Sequence, residues 1–386
     1  MRAIRTRVKA RDIGEDHRVA SPLELLFDLT FVVAVGSLVA QLAHAIVDGH
    51  AAEAVGPFLM VFFAIWWAWN QFTWLASAYD NDDVPYRVFT LVQMAGVLVL
   101  AAGVPAAFSA QDFGAITLGY LVMRLGLLGM LTRAAIEDPE SRPNSLRYVI
   151  GISVVQVGWL SRLFLVPVEF LLLAFLLLAA LELLVSPWAD RAGRLSWHPH
   201  HIAERYGLFA IILLGESVLA VTIAVQESLA DGVSASLIIA AISGLVLLFT
   251  LWWLYFSEPA AEGLVKRRNR SYIWGYGHYG IYASLAAIGA GLEVVVKVVT
   301  QHSEAGDLVA GYALAIPLAV YLLLLWLLHA PMVDRVSIPP VATVVSVVVV
   351  LAAPLASVWI GVLGVTVLMT CVTVILLVVA LVSARE

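Results

Sequence analysis

Long apolar runs separated by short polar segments are the dominant pattern along this chain of 386 residues. An α-helix needs about 20 apolar residues to cross the hydrocarbon core of a bilayer. The pattern therefore predicts an all-α integral membrane protein with about twelve transmembrane helices, at 22–46, 55–79, 86–108, 113–135, 146–165, 166–186, 200–225, 232–257, 271–296, 308–330, 336–356 and 358–383. The fifth and sixth runs are separated only by the segment ending at Pro167, and the last two by little more than Pro354.

The composition places the chain in a membrane rather than in water. Hydrophobic residues make up 62% of the sequence and charged residues 13%, which is too little charge for the surface of a soluble protein of this size. The first run is too long for the apolar region of a signal peptide and contains Glu24 and Asp28, so we interpret it as a retained helix. The single cysteine, Cys371, excludes a disulfide framework and a cysteine-based metal site.

Basic residues predict the orientation of the helices. If the N-terminus is cytoplasmic, nearly all arginines and lysines fall in cytoplasmic segments, and only Arg162 and Lys297 fall in the outer loops. This asymmetry predicts that both ends are cytoplasmic and that the two halves are parallel six-helix repeats. The expected parts are a basic cytoplasmic arm lying on anionic headgroups, a first repeat, a cytoplasmic linker and a second repeat, at 1–20, 21–186, 187–199 and 200–384.

The two halves also share sequence features. Tryptophan-rich segments stand in the second helix of each half, IWWAWNQFTW at 65–74 and LWWLYF at 251–256. A shift of 180 residues places Glu204 on Glu24 and Ser217 on Ser37. Internal repeats of this kind are typical of transporters and channels, whose sites lie at the repeat interface near the bilayer midplane.

Two long segments carry a family resemblance. The segment ELLFDLTFVVAVGSL at 24–38 and the segment HHIAERYGLFAIILLGESVLAV at 200–221 resemble the signatures of the bacterial low temperature requirement A (LtrA) family. The resemblance extends over essentially the whole chain. It implies a multi-pass protein of the bacterial inner membrane, but the family name describes a growth phenotype and implies no substrate or reaction.

Acidic side chains at the start of the first helix are the first candidates for a site. Ser21 and Glu24 have the spacing of a capping box, in which Glu24 accepts a backbone hydrogen bond. Asp28 lies one turn deeper, where capping is not available and a lone carboxylate is costly. It either forms a salt bridge with Arg205, at the matching start of the seventh helix, or handles ions or protons. Glu204, the counterpart of Glu24, belongs to the same candidate set.

Glu216 is the deepest carboxylate of the predicted seventh helix. It lies twelve residues beyond Glu204, about 18 Å along a helix that rises about 1.5 Å per residue. Arg124 lies at a comparable depth in the fourth helix. Because each charge would be costly alone, we predict that the two side chains pair or share a hydrated cavity. The alternative is an inert structural pair that holds the two halves together.

Three polar residues could line a path toward the outer surface from the first helix. Ser37, Gln41 and His44 lie on one side of it, opposite Glu24 and Asp28. They are candidates for pathway-lining residues or for hydrogen bonds between helices.

Two further helices carry polar or aromatic faces. Asn70 belongs to a face of the second helix that turns from aromatic to polar toward the cytoplasm, together with Trp66, Thr73 and Ser77. In the ninth helix, four tyrosines form one stripe beside His278: Tyr272, Tyr276, Tyr279 and Tyr282. The stripe is longer than an interfacial tyrosine belt needs, and the two interpretations are a cation- or ligand-lining surface and such a belt.

The remaining motifs argue against an enzyme. His198, His200 and His201, with Asp190 nearby, crowd the entry to the seventh helix, but adjacent loop histidines are usually solvated and we predict no metal site. The sequence has no nucleotide-binding glycine motif, no G-x-S-x-G and no H-E-x-x-H. We therefore expect no catalytic residues, no cofactor and no nucleic-acid partner.

Two classes of function are compatible with these features. The first is an ion- or proton-coupled secondary transporter or channel with a midplane Glu/Arg site, embedded in the lipid bilayer and acting on a small ion or proton. The second is a non-transporting membrane protein, either an intramembrane enzyme with a lipid-like substrate or a factor for envelope function in the cold. Some glycines allow close helix packing, within the chain or across a homodimer: Gly126, Gly129, Gly289 and Gly291.

Overall fold

The computed structural model describes residues 4–11, 15, 19–79, 81–193, 195–229, 232, 234–258, 260–301, 303, 305–333 and 337–384. Across these ranges all regular secondary structure is helical. The α-helices are α1 Pro22–Val47, α2 Ala51–Ala78, α3 Val84–Ser109, α4 Gly114–Glu137, α5 Arg142–Leu165, α6 Leu171–Ala189, α7 Pro199–Leu229, α8 Ala235–Phe256, α9 Ala260–Lys266, α10 Ser271–Val299, α11 Asp307–His329, α12 Pro340–Ala352 and α13 Ser357–Ser383.

Eleven helical stretches among the described residues are long and apolar enough to cross a membrane. The prediction of a polytopic, all-α membrane protein is confirmed at this level. The count of twelve is not, because the last stretch, Pro340–Ser383, contains both α12 and α13. The 13 residues of α12 reach only about 20 Å at the helical rise, which is less than the hydrocarbon core of about 30 Å.

Proline and glycine mark the breaks between adjacent apolar helices. The predicted separation of the fifth and sixth runs is confirmed, since α5 ends at Leu165 and a 3₁₀ turn, Val168–Phe170, precedes α6. A proline disfavours helical backbone in the residue before it, which explains the break at Pro167. A second 3₁₀ turn, Ala353–Ala356, follows α12, and Gly361 near the start of α13 has a φ of 64°. That conformation suits glycine because it has no Cβ.

Large apolar side chains lie on the outside of the helices. Along α6, Leu172, Leu173, Leu176 and Leu177 are between 55% and 59% exposed. A row of exposed leucines would be a liability in water but is the surface that lipid tails contact. The exposed face of α6 therefore agrees with a helix embedded in a bilayer.

The chain divides into two compact units. Unit 1 comprises the described residues of Met1–Ala34 and Met60–Arg205, and unit 2 those of Val35–Leu59 and Tyr206–Glu386. In unit 1, α3 packs tightly on α4, and a Cβ on Gly119 would lie 2.6 Å from the Gly96 carbonyl oxygen. In unit 2, α10 packs against α8, α11 and α13 and is largely buried. These units are not the predicted repeats, whose boundaries stay a prediction.

Part of the predicted N-terminal arm packs against the start of α3 and the end of α4, the helix ends predicted to face the cytoplasm. The Thr6 and Val8 amides donate to the Asp83 and Glu137 carboxylates at 2.9 and 2.7 Å. Arg133 donates two hydrogen bonds to Asp83, at 2.8 and 2.6 Å, and also contacts the Thr6 carbonyl. Residues 4–8 are thereby fixed against the ends of α3 and α4. Other basic residues used for the orientation lie outside the described residues: Arg2, Arg18, Arg194, Arg335 and Arg385.

Asp83 is expected to control how firmly this segment is held. Burial alone would raise its pKa, but hydrogen bonds from Arg133, Thr6 and Tyr86 outweigh burial and lower the pKa to about 2. The stabilisation is therefore complete above the unfolded pKa of about 3.9 and is lost as the pH falls through about 2. At neutral pH, we expect Asp83→Asn to raise tryptic cleavage after Arg7 about tenfold, because a charge-assisted network is lost.

The control for this experiment is Asp112→Asn. Asp112 accepts the Gly114 amide beyond the far end of α3, away from the N-terminal segment, so its removal should leave the cleavage rate unchanged. Equal cleavage of the wild type and Asp83→Asn, measured on purified protein, would contradict the assigned role.

Candidate functional site

A cluster of buried charges lies at the start of α1, in unit 1. The predicted capping box is confirmed: the Ser21 amide donates to Glu24 Oε2 at 2.8 Å, and the Glu24 amide donates to Ser21 Oγ at 3.3 Å. This arrangement satisfies two backbone groups that have no partner within the helix. It also turns the second oxygen of Glu24 toward the first turn of α7.

Arg205 joins the two acidic residues of α1. Its Nη2 and Nε donate to Asp28 Oδ1 and Oδ2 at 2.6 and 3.0 Å, and its Nη1 donates to Glu24 Oε1 at 2.9 Å. The predicted Asp28–Arg205 salt bridge is confirmed, and its two-point geometry is the strongest that these groups form. The Trp69 indole adds a hydrogen bond of 2.8 Å to Asp28 Oδ1. All three charged residues are at most 1% exposed.

The histidines beside this cluster are less solvated than predicted. His201 is fully buried, and its Nε2 lies 3.0 Å from Glu24 Oε1. His198 is also buried, whereas His200 is exposed. The expectation of solvated loop histidines was wrong for the two buried ones, because α7 begins at Pro199 and turns His201 toward α1. No group of three or more potential metal ligands occurs in the described part of the chain.

Arg124 has an acidic partner that the sequence did not predict. Glu182 of α6 lies 3.7 Å from it and accepts hydrogen bonds from four other side chains, at 3.0 to 3.2 Å: Trp67, Tyr120, Gln156 and Trp159. Arg124 also donates to the Tyr120 hydroxyl. Glu182 thus offsets the free-energy cost of burying the Arg124 charge within unit 1. The pairing of Arg124 with Glu216 stays a prediction.

Glu216 differs from the other buried acids. It lies inside α7, in unit 2, and is 7% exposed. Its carboxylate has no hydrogen-bond or ion-pair partner among the residues that the structure describes. The space for the carboxylate comes from Gly36 of α1, where a Cβ would lie 2.9 Å from Glu216 Cδ and closer still to Oε1. The hydroxyl of Ser217, the next residue, donates to the carbonyls of Leu213 and Leu285 at 2.9 and 3.3 Å.

Comparison with known proteins supports the family resemblance. The family model of the bacterial low temperature requirement A protein (LtrA) matches residues 19–381. The chain belongs to the LtrA family. An uncharacterised protein of Rhizobium meliloti (strain 1021) is 27% identical over 299 residues, which cover 73% of this chain and 70% of that protein. No solved structure matches the chain.

The other candidates of this LtrA family member are dispersed. The Glu204 carboxylate accepts the Ala20 amide at 3.1 Å, which ties α7 to the segment before α1. Asn70 is buried in unit 1. In unit 2, Ser37 and Gln41 are partly buried and His44 is exposed. Their role in lining a pathway stays a prediction.

The predicted tyrosine stripe contributes partly to packing within unit 2. The Tyr279 hydroxyl donates to the Leu59 carbonyl at 2.9 Å, and the Tyr282 hydroxyl donates to the Tyr206 carbonyl at 2.8 Å. His278 is fully buried between the Trp274 carbonyl and the Tyr255 hydroxyl, at 2.7 and 3.2 Å. Tyr276 is half-buried and stacks edge-on with Tyr272. A cation-lining role for the stripe also stays a prediction.

Two members of these sites, Glu182 and Gly36, were not predicted from the sequence. Glu182 is an isolated acid within the leucine-rich run LLLAFLLLAALELLV, a position at which a carboxylate needs a partner. Gly36 lies in the first family-like segment, but no pattern indicated that a carboxylate occupies the space beside it.

Proposed function

We propose that this protein is an ion- or proton-coupled secondary transporter or channel of the bacterial inner membrane, and that Glu216 binds the transported cation. The observation that carries the proposal is a buried carboxylate with no protein partner among the described residues, inside an apolar helix. Ionisable groups of this kind within transmembrane helices generally mark ion pathways and proton relays.

The physical argument starts from the cost of a buried charge. A lone carboxylate in an apolar surrounding is stable only if it is protonated, hydrated or neutralised by a cation. Each of these states requires exchange with a proton, with water or with an ion. Glu216 therefore has the properties of a group that binds and releases a proton or an ion during a transport cycle. We assign the driving force to an ion gradient because the sequence has no nucleotide-binding motif.

The other charged candidates are better suited to structural roles. Asp28 and Glu24 have complete sets of partners around Arg205, and Arg124 is engaged by Glu182 and Tyr120. Breaking such an arrangement in each cycle would expose unpaired charges to a low dielectric. We therefore assign both clusters to holding unit 1 together and leave the transported ion to Glu216.

We further propose twelve spans in two parallel six-helix repeats, with both ends in the cytoplasm. The packing order supports the repeat: α3 contacts α4, α4 contacts α5 and α5 contacts α6, and the same order recurs from α10 to α13. The 180-residue shift places Glu216 on Gly36, its own contact. Counterparts that touch each other lie on the axis relating two repeats, where transporter sites are usually found.

The decisive test is cation flux into proteoliposomes. The wild type should carry H⁺, Na⁺ or K⁺ under an imposed gradient, and Glu216→Gln should abolish that flux at matched reconstitution because the amide neither ionises nor neutralises a cation. Its thermal stability should stay equal or rise, since no ion pair is lost. Glu262→Gln, at an exposed acid of α9, is the matched control and should retain full flux. Wild-type protein without any cation flux would contradict the proposal and favour the non-transport class.

Gly36→Ala tests the site without changing its charge. A Cβ at this position would displace the Glu216 carboxylate, so we expect flux to fall at least about tenfold, the effect of about 1.4 kcal/mol. Gly215→Ala is the matched control, because a Cβ there meets no atom within 4 Å. Equal flux in the two alanine variants would show that the contact with Gly36 is unimportant.

A further inference from the structure

A buried charge of the opposite sign to Glu216 lies in unit 1, and it has no carboxylate partner among the described residues. Arg162, in the last turn of α5, is 3% exposed. It borders a cavity of about 30 Å³ whose walls come from α2, the segment before α4, α4, α5 and α6. Residues from each of these elements line it: Phe63, Phe113, Thr117, Trp159 and Phe175.

The partners of Arg162 account for only part of its guanidinium. Its Nε donates to the Leu171 carbonyl at 3.3 Å, and its Cζ lies 5.2 and 5.9 Å from the Phe113 and Phe175 ring centres. Its Nη2 is buried without a hydrogen-bond acceptor. Within the described ranges no acid lies within ion-pair distance of Arg162, and Glu169 in the turn before α6 is exposed.

A guanidinium in this position needs a negative charge that the described residues do not supply. Aromatic rings offset part of the cost of burying a cation, but an unsatisfied charged donor still costs more than a neutral one. Arg124 is also buried in unit 1, but it has the carboxylate of Glu182 beside it to balance its charge. No acid lines the cavity to play that part for Arg162.

We propose that this cavity binds a small, singly charged anionic group through Arg162. The group is either a free halide or the carboxylate of an amphiphile that enters from the lipid. The Thr117 hydroxyl, which is buried and has no hydrogen-bond partner in the described chain, supplies a second donor. The cavity holds only one or two species of about the size of water, so it excludes bulky polar anions. This site is independent of Glu216 and of transport.

Thermal unfolding of the full-length protein in detergent tests the site with three probes. Sodium chloride, sodium gluconate and sodium gluconate with added oleate are compared at equal ionic strength. We expect chloride or oleate to raise the unfolding midpoint above that in gluconate alone by about 2 °C or more. An effect of chloride identifies a free anion, and an effect of oleate alone identifies an amphiphile.

Two variants decide whether Arg162 is responsible. Arg162→Gln should lose the anion effect, whereas Arg147→Gln should keep it, because Arg147 lies on the same helix but stacks on Trp188. If Arg162→Gln cannot be purified, Thr117→Val is used instead. The concentration of the stabilising anion that gives half of its effect should then rise about tenfold. Equal unfolding midpoints in all three solutions overturn the proposal. It is also overturned if Arg162→Gln keeps the anion effect, or if Thr117→Val leaves the half-effect concentration of the anion unchanged.

Discussion

Arg205→Met is expected to destabilise the protein by about 3–5 kcal/mol, the usual cost of removing one partner from a buried ion pair. The reason is that Asp28 and Glu24 would remain buried with no cation between them. The methionine fills similar space, so the loss reports charge more than packing. The measurement is the thermal unfolding midpoint of the purified protein together with its yield from membranes.

Double variants separate the contribution of each carboxylate. Adding Asp28→Asn to Arg205→Met should restore part of the stability, because one of the two unpaired charges is then removed. Arg147→Met, at a partly exposed arginine of α5, serves as the control and should change stability by less than about 1 kcal/mol. A loss of similar size in both arginine variants would show that Arg205 does not anchor this cluster.

Glu182→Ala is expected to be at least as harmful, with a loss of about 3–5 kcal/mol and little protein accumulating in the membrane. The substitution removes the acceptor of four side-chain hydrogen bonds and leaves Arg124 without a counter-charge. Each buried donor left without a partner adds about 1–3 kcal/mol. Yield and the unfolding midpoint in detergent again provide the measurement.

The chain contains a matched acid for comparison. Glu169 lies in the turn before α6 and is exposed, so Glu169→Ala should behave as the wild type. Glu182→Gln should lie between these extremes, since its oxygen keeps some of the hydrogen bonds but its charge is gone. Normal yield and stability of Glu182→Ala would mean that Arg124 finds another counter-charge.

Features set by local or pairwise physics could be predicted from the sequence. The apolar runs gave the helices because about 20 apolar residues are what a bilayer crossing requires. The Ser21–Glu24 capping box follows from a spacing of three residues, and the Asp28–Arg205 pair follows from the cost of leaving either charge alone.

The features that the sequence did not reveal depend on tertiary packing. Arg124 had several acids at suitable depths, and only the arrangement of α4 and α6 selects Glu182. The break at Ala353–Ala356 lies at the predicted separation near Pro354, whereas Gly361 interrupts a run whose apolar composition looks continuous. The space beside Glu216 exists because Gly36 has no side chain, and an absence of atoms leaves no periodic signal in a sequence.

The contact between Gly36 and Glu216 bears on how many ions one chain can handle. Under the 180-residue shift these two positions are counterparts, and they meet in a single space. The Glu216 carboxylate therefore leaves no room for a second carboxylate at position 36. In the two-repeat arrangement that we propose, one such group stands where two are possible, and a cycle through Glu216 would move a single positive charge per polypeptide.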